Sequence, residues 1–331
     1  MQRLQSFGTI TSKGDRMHDI LTVTLNPALD LATSVSEVQP NIKLRCAPPV
    51  TDPGGGGINV ARAIHQLDGQ ARCFVALGGD TGHALLHLLT KAGLTPVVHT
   101  APSETRQSLA VIDLHSNDQF RFMLPGPDWE PDDIDAARAA IRAAAQPDSI
   151  IVLSGSGPSG GAPDLYARIC QDFAGTDARV ILDTSGPILA HLAAGQVQPP
   201  MVLRMDQHEA EGLARRPLSS RDDSAAFAAS LVRRGAGQMV IVARGADGSV
   251  LADGTQRLHV AAPKVDIRSK VGAGDSFVGG FTMALARDED IATALQHGSA
   301  AASAAVMTDG TQLCHKDDYL RLLDTCVVNP L

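Results

Sequence analysis

The residues most plainly equipped for chemistry stand near the C-terminal end, where Val271-Gly272-Ala273-Gly274-Asp275 leads directly into the apolar run Ser276 to Leu285. Small residues at 272 to 274 let backbone N–H groups approach a ligand, and the positive end of a helix dipole favours negative charge there. An anion site gains nothing from an added carboxylate, so Asp275 needs a second task. Taking the proton of a hydroxyl that attacks a phosphoryl group is the obvious one. The plainer alternative is a glycine turn with Asp275 as a helix N-cap. A helix start favours the charged carboxylate, so Asp275 is expected to stay ionised and to be a weak base.

A second glycine run, Gly54 to Gly57, precedes Ile58-Asn59-Val60-Ala61-Arg62-Ala63 and an amphipathic helix. Close backbone approach to a ligand explains these glycines better than a flexible linker does. Asn59, in the first helical turn, is then placed to bond a sugar hydroxyl, as is Asp30 at the end of the first strand. Lys43 and Arg45 lie two apart on a presumed strand and so share a face, while Arg106 opens another segment. The common fate of such cations is the surface. Turned toward one cleft, the three would bind a substrate phosphate, with Arg suited to bidentate contact.

These groups need a frame. Ile20 to Leu25, Cys73 to Leu77, Ile150 to Leu153, Val180 to Leu182, Met201 to Leu203 and Met239 to Val242 read as buried strands. Helical patterns cover Ile58 to Leu67, His83 to Ala92, Pro131 to Ala144, Asp164 to Phe173 and Ser224 to Arg234. Apolar strands alternating with helices predict an α/β domain with a mostly parallel sheet covered on both faces. Two stretches, 31–50 and 108–124, alternate polar and apolar residues with no helix between. They predict a small second sheet, a lid able to exclude water. The run Gly155 to Gly160 after Ile150 to Leu153 imitates a dinucleotide fingerprint, with Asp183 as the ribose acid. Pro158 and Pro163 bracket the segment where the helix should already run, so nicotinamide binding is not expected. Ser156, at a strand's carboxyl end, remains a candidate phosphate contact. No Lys follows a Gly, which excludes a Walker A loop.

The 331 residues suffice for one large α/β domain. A formal charge of -8 without any Lys/Arg-rich run argues against nucleic acid or an anionic membrane as the main partner. Five scattered cysteines without paired spacing suggest a reduced, cytoplasmic protein. No apolar run reaches the ~18 residues of a membrane helix. Residues 1–16 lack a signal peptide's apolar centre and are expected to be a disordered extension or to precede the start at Met17.

In order, Gly54 to Ala63, Thr105-Arg106-Gln107, Gly155-Ser156 and Val271 to Asp275 closely resemble the ribokinase-like (PfkB) carbohydrate kinases, over about Ile20 to Cys314. Lys43-Leu44-Arg45-Cys46, Phe120-Arg121-Phe122 and Gly310-Thr311 extend the likeness toward its phosphosugar branch. The resemblance implies a ribokinase-like domain over 17–331, its lid often clasped in a homodimer, and phosphoryl transfer from ATP with Mg2+ and a monovalent cation. Asp275 would be the base and the amides of Gly272, Ala273 and Gly274 the anion hole. Asp30, Gly54, Gly55 and Asn59 would hold the sugar, and Lys43, Arg45, Arg106 and Ser156 its phosphate. Gly245 and Gly248 would underlie the nucleotide, and Glu209 would act on magnesium through water. The implied acceptor is the C1 hydroxyl of fructose 6-phosphate, with fructose 1-phosphate or tagatose 6-phosphate as alternatives. A catalytically weakened sugar-phosphate-binding protein is the alternative of another class. The chain departs from the family on the nucleotide side: Arg204 and Asp206 replace Lys and Asn before Glu209, Lys270 replaces a small hydroxyl residue, and Ala243 a serine. Asp206 would add negative charge there, which Arg204 could offset.

Overall fold

The computed structural model describes residues 17–331; the expected extension over 1–16 lies outside the described residues. In chain order the strands are β1 (Ile20–Thr24), β2 (Ala28–Val35), β3 (Val50–Gly54), β4 (Arg72–Leu77), β5 (Thr95–Thr100), β6 (Arg106–Asp113), β7 (Gln119–Met123), β8 (Ile150–Ser154), β9 (Arg179–Asp183), β10 (Val202–Asp206), β11 (Met239–Ala243), β12 (Ser249–Ala252), β13 (Arg257–Val260) and β14 (Val328–Pro330). The helices are α1 (Gly56–Gln66), α2 (Gly79–Lys91), α3 (Pro131–Ala144), α4 (Leu165–Asp172), α5 (Gly186–Ala193), α6 (Gln207–Ala214), α7 (Arg221–Arg233), α8 (Ala273–Ala286), α9 (Ile291–Val306) and α10 (Lys316–Leu323).

The main sheet runs β14-β13-β12-β11-β10-β9-β8-β1-β4-β5. Seven strands from β5 to β11 are parallel, and the other three continue as antiparallel pairs. The apolar runs explain the parallel part: β1 and β8 are buried at every residue, as strands covered by helices on both faces must be. On one face α1, α8, α9 and α10 contribute Val60, Phe277, Phe281, Ala301 and Tyr319 to one core cluster. On the other, α3, α4, α5 and α7 contribute Ile141, Tyr166, Leu189 and Leu231. Strand order reverses at β1, whose neighbours are β4 on one side and β8 on the other. A crevice is expected beyond the carboxyl ends of β1 and β8.

The second sheet, β3-β2-β6-β7, is small and separate, and forms where a lid was expected. Its register pairs Asp30 with Asp52 and with Ser108, and Ala28 with Arg106. Side chains paired across strands share a face, so Asp30, Asp52, Arg106 and Ser108 form one polar face. Leu29, on the opposite face, packs with Leu85 and Leu89 of α2. Where alternation predicted strand throughout 31–50, residues 36–49 form no strand. Pro40, Pro48 and Pro49 cannot donate to a ladder. The arm is tied back by Ala47 N to Ser34 O (2.9 Å) and Val38 N to Asp113 Oδ2 (2.9 Å). Lys43 and Arg45 therefore lie on an exposed arm rather than on a shared strand face.

After β8 the glycine loop does not enter a helix; α4 starts only at Leu165. A strap from Gly126 to Glu130 crosses this loop, with Trp129 N donating to Ser159 O (2.9 Å). A Cβ at Gly160 would come within 2.5 Å of the Trp129 carbonyl oxygen. That glycine serves strap packing, and Trp129 itself is buried. No helix among the described residues is long and apolar enough to cross a membrane.

Candidate active site

Helix α8 begins at Ala273 with Gly272 as N-cap in the left-handed region (φ 74°), where glycine is favoured. Ser276 N closes the first turn onto Gly272 O (2.8 Å). The N–H groups of Ala273, Gly274 and Asp275 precede that bond and have no intrahelical acceptor, as at any helix start. Asp275 is the third helical residue and makes no capping bond, so the N-cap alternative does not hold.

Asp275 accepts from Asn59 Nδ2 (3.0 Å) and from the Ser154 hydroxyl. Burial first, and then the charge of Asp183, push its carboxyl up to about 7; the Asn59 and Ser154 bonds and Arg204 pull the other way. This corrects the expectation of a weak, always ionised base. A helix start supplies at most about 2 kcal/mol to a buried group, little more than the roughly 1.4 kcal/mol that moves a pKa by one. Enclosure beside a second carboxylate outweighs it.

Strand register assembles the floor. Ser154 pairs with Asp183 across β8 and β9, and Asp183 with Arg204 across β9 and β10. The buried Arg204 donates through Nη1 to Asp183 Oδ1 (2.9 Å) and lies 5.4 Å from the Phe277 ring centroid. A Cβ at Gly274 would stand 3.2 Å from both terminal guanidinium nitrogens, so glycine admits that cation beside the helix start. A cavity of about 320 Å3 lies here, lined by Ser154, Asp183, Arg204, Glu209 and Asp275 among others.

A second cavity, about 490 Å3, shares Arg204, Asp206 and Gly274 with the first and extends over Gly245, Gly248 and Lys270. Its floor loop is rigidly held. Asp247 accepts from Arg221 (2.5 Å) and Arg244 (2.9 Å), which hold its carboxyl at about 2. A Cβ at Gly248 (φ 91°) would collide with the Val260 carbonyl oxygen. Asp206 caps α6: its Oδ1 accepts from Glu209 N, and its own N donates to Glu209 Oε2, both at 2.8 Å. The Asp206 departure thus completes a capping box. Among the described residues no three His, Cys, Asp or Glu side chains form a metal cage. Two carboxylates at the mouth fit a hydrated Mg2+ held mainly by phosphates.

On the lid side, Asp30 accepts from Ser108 Oγ, and burial raises its pKa against the opposing Ser108 bond and Arg106. A Cβ at Gly54 would lie 2.0 Å from Asp30 Oδ2. Substituents at Gly56 and Gly57 would strike Ser154 Oγ (2.4 Å) and Val23 O (2.5 Å). Close approach within the protein therefore requires these glycines as well. Arg106 Nε and Nη2 both reach Asn26 O (3.3 Å), while Asn26 Nδ2 donates to Ser156 Oγ and Gly157 O (3.2 Å each). Arg106 and Ser156 are thus brought together by Asn26. Lys43 and Arg45 are exposed and make no ion pair among the described residues.

Residues 23–318 match the pfkB family carbohydrate kinases. The chain is a member of that family. It is similar to the ATP-dependent 6-phosphofructokinase isozyme 2 of Escherichia coli (37% identity, covering 92% of this chain and 97% of that protein). It is also similar to the 1-phosphofructokinase of Xanthomonas campestris pv. campestris (32%, 81% and 84%). Structures of Escherichia coli phosphofructokinase-2 in complex with potassium and with fructose-6-phosphate superpose with TM-scores of 0.86 and 0.84, each 34% identical over 93% of this chain and 99% of the other. The ribokinase-like α/β architecture follows, as does ATP-dependent phosphoryl transfer to a sugar hydroxyl with a divalent metal.

Four residues of these hydrogen-bond networks were not singled out from the sequence. Ser154 and Asp183 end apolar strands, a signal that was available, although Asp183 was weighed only as a ribose acid. Asn26 follows β1 at the switch point of the sheet, which is also a usable signal. Arg62 gave none, since a cation within an amphipathic helix is ordinarily solvated.

Proposed function

We propose that this kinase transfers the γ-phosphoryl group of ATP to the C1 hydroxyl of fructose 6-phosphate. The C1 oxygen forms the new P–O bond, the bond to ADP breaks, and the hydroxyl proton passes to Asp275. The supporting observation is the place of Asp275: at the free N–H groups of α8, between a lid face bearing Asp30 and Arg106 and a cavity floored by Gly245 and Gly248. Gly272, Ala273 and Gly274 would stabilise the transferring group through their amides, so catalysis is mostly positioning. Asp30, Gly54, Gly55 and Asn59 would contact the sugar. Arg106, Ser156, Lys43 and Arg45 would take its phosphate. Arg204 would face the nucleotide phosphates, and Mg2+ with its water would sit near Glu209 and Asp206. The metal's contribution when bound is charge neutralisation on those phosphates. Potassium in a similar structure supports a monovalent cation here. A homodimer through the lid and a cytoplasmic location complete the reading.

A 1-phosphofructokinase activity is the second reading, favoured by the 32% identical relative of that name. ADP release measured with fructose 6-phosphate, fructose 1-phosphate and tagatose 6-phosphate separates these. Fructose 6-phosphate should give the highest kcat/KM. Sugar-phosphate binding without ADP release would instead mark a weakened, binding-only protein.

A further inference from the structure

Arg62 lies on α1, three residues beyond Asn59, and lines neither cavity of the site. Its Nη1 donates to Asn59 Oδ1 (3.2 Å), and Asn59 Nδ2 donates in turn to Asp275 Oδ2 (3.0 Å). A guanidinium can only donate and an ionised carboxylate can only accept. The amide between them therefore has one satisfactory orientation. Rotating it by half a turn would face NH2 with guanidinium and oxygen with carboxylate. A protonated Asp275 would gain from that rotated amide an acceptor for its O–H. By holding the Asn59 oxygen to itself, Arg62 favours the ionised form.

The charges around the pair are divided, Asp183 favouring the acid form of Asp275 and Arg204 its ionised form. Asp183 from β9 and Arg204 from β10 act on Asp275, Ser154 from β8 bonds it, and Glu209 from α6 acts on Arg204. Arg204 is committed to Asp183 by their ion pair. Arg62 interacts with Asp52, Asp275 and Asp30, so it stands between the base and two lid carboxylates. Asp52 is fixed by Thr311 Oγ1 (2.5 Å) and Asp30 by Ser108. Arg62 is thus a cation shared by body and lid.

We propose that Arg62 is a positioning residue for the base, orienting the Asn59 amide and balancing Asp275 against Asp30 and Asp52. The proposal rests on the reading of Asp275 as base. The test compares wild type with Arg62→Gln, Arg62→Met and Arg62→Lys. In Gln and Met the acid limb of log kcat/KM should move up by about one pH unit, with activity largely recovered at alkaline pH; Lys, keeping the charge, should stay near wild type. A merely structural role would lower activity by one factor at every pH, and that result, or an unmoved limb in Arg62→Gln, overturns the proposal. Gln is polar and uncharged, so it keeps the test open if Met does not fold. Carboxyl-carbon NMR of labelled Asp, with Asp275→Asn for assignment, reads the same upward shift without turnover. A wild-type enzyme inactive on every sugar phosphate would count against the function, whereas an unshifted carboxyl signal in Arg62→Gln counts against Arg62.

Discussion

At Asp275 two influences oppose each other, and their balance sets how the kinase responds to pH. The helix start favours the carboxylate, while burial and Asp183 favour the acid, and the latter prevail, raising the carboxyl to about 7. A base works only when deprotonated, so kcat/KM should fall below about pH 7 and level off above it. A flat profile from pH 5.5 to 8 would refute this. Asp275→Asn should lower kcat by roughly 10²–10⁴-fold while fructose 6-phosphate still binds in calorimetry. Asn26→Ala should loosen Arg106 and Ser156 together, raising the sugar-phosphate KM about tenfold or more with a smaller change in kcat. The positions of Asp275, Asn59 and Arg106 were legible because each sits at a strand end or helix start. Asn26 was passed over despite its place at the switch point, because Asn-Pro reads as an ordinary turn and its two partners lie 80 and 130 residues away.

At the level of elements, the apolar runs gave β1, β4, β8, β9, β10 and β11, since a doubly covered strand has no polar face to confuse the pattern. What stayed hidden was register. The row Ser154, Asp183, Arg204 depends on which residue of each strand stands beside which, and single-strand periodicity carries no such information. The arm at 36–49 was missed for another reason. Alternation was followed through Pro40, Pro48 and Pro49, where a ladder cannot form. The Asp206 box shows how a departure near a nucleotide acquires a local purpose. Asp206→Asn preserves an N-cap and removes a charge, so ATP KM should fall with the melting temperature nearly unchanged. Asp206→Ala loses the cap and should destabilise by about 1 kcal/mol in denaturant unfolding.

Over the whole molecule, the lid presents apolar side chains that the described residues leave exposed. Leu109, Phe120 and Phe122 share one face through the β6–β7 register, and Phe122 is 52% exposed. Such a patch is a candidate association surface. If two lids clasp there, Phe122→Glu should shift sedimentation from dimer to monomer and weaken sugar-phosphate use together. An unchanged sedimentation coefficient would move the interface elsewhere. The strap over the glycine loop has an optical consequence. Trp129 is the chain's only tryptophan, and its backbone holds Ser159, three residues from Ser156. The protein therefore carries a built-in fluorophore beside the proposed phosphate loop, and titration with fructose 6-phosphate should alter its emission while ATP alone leaves it nearly constant.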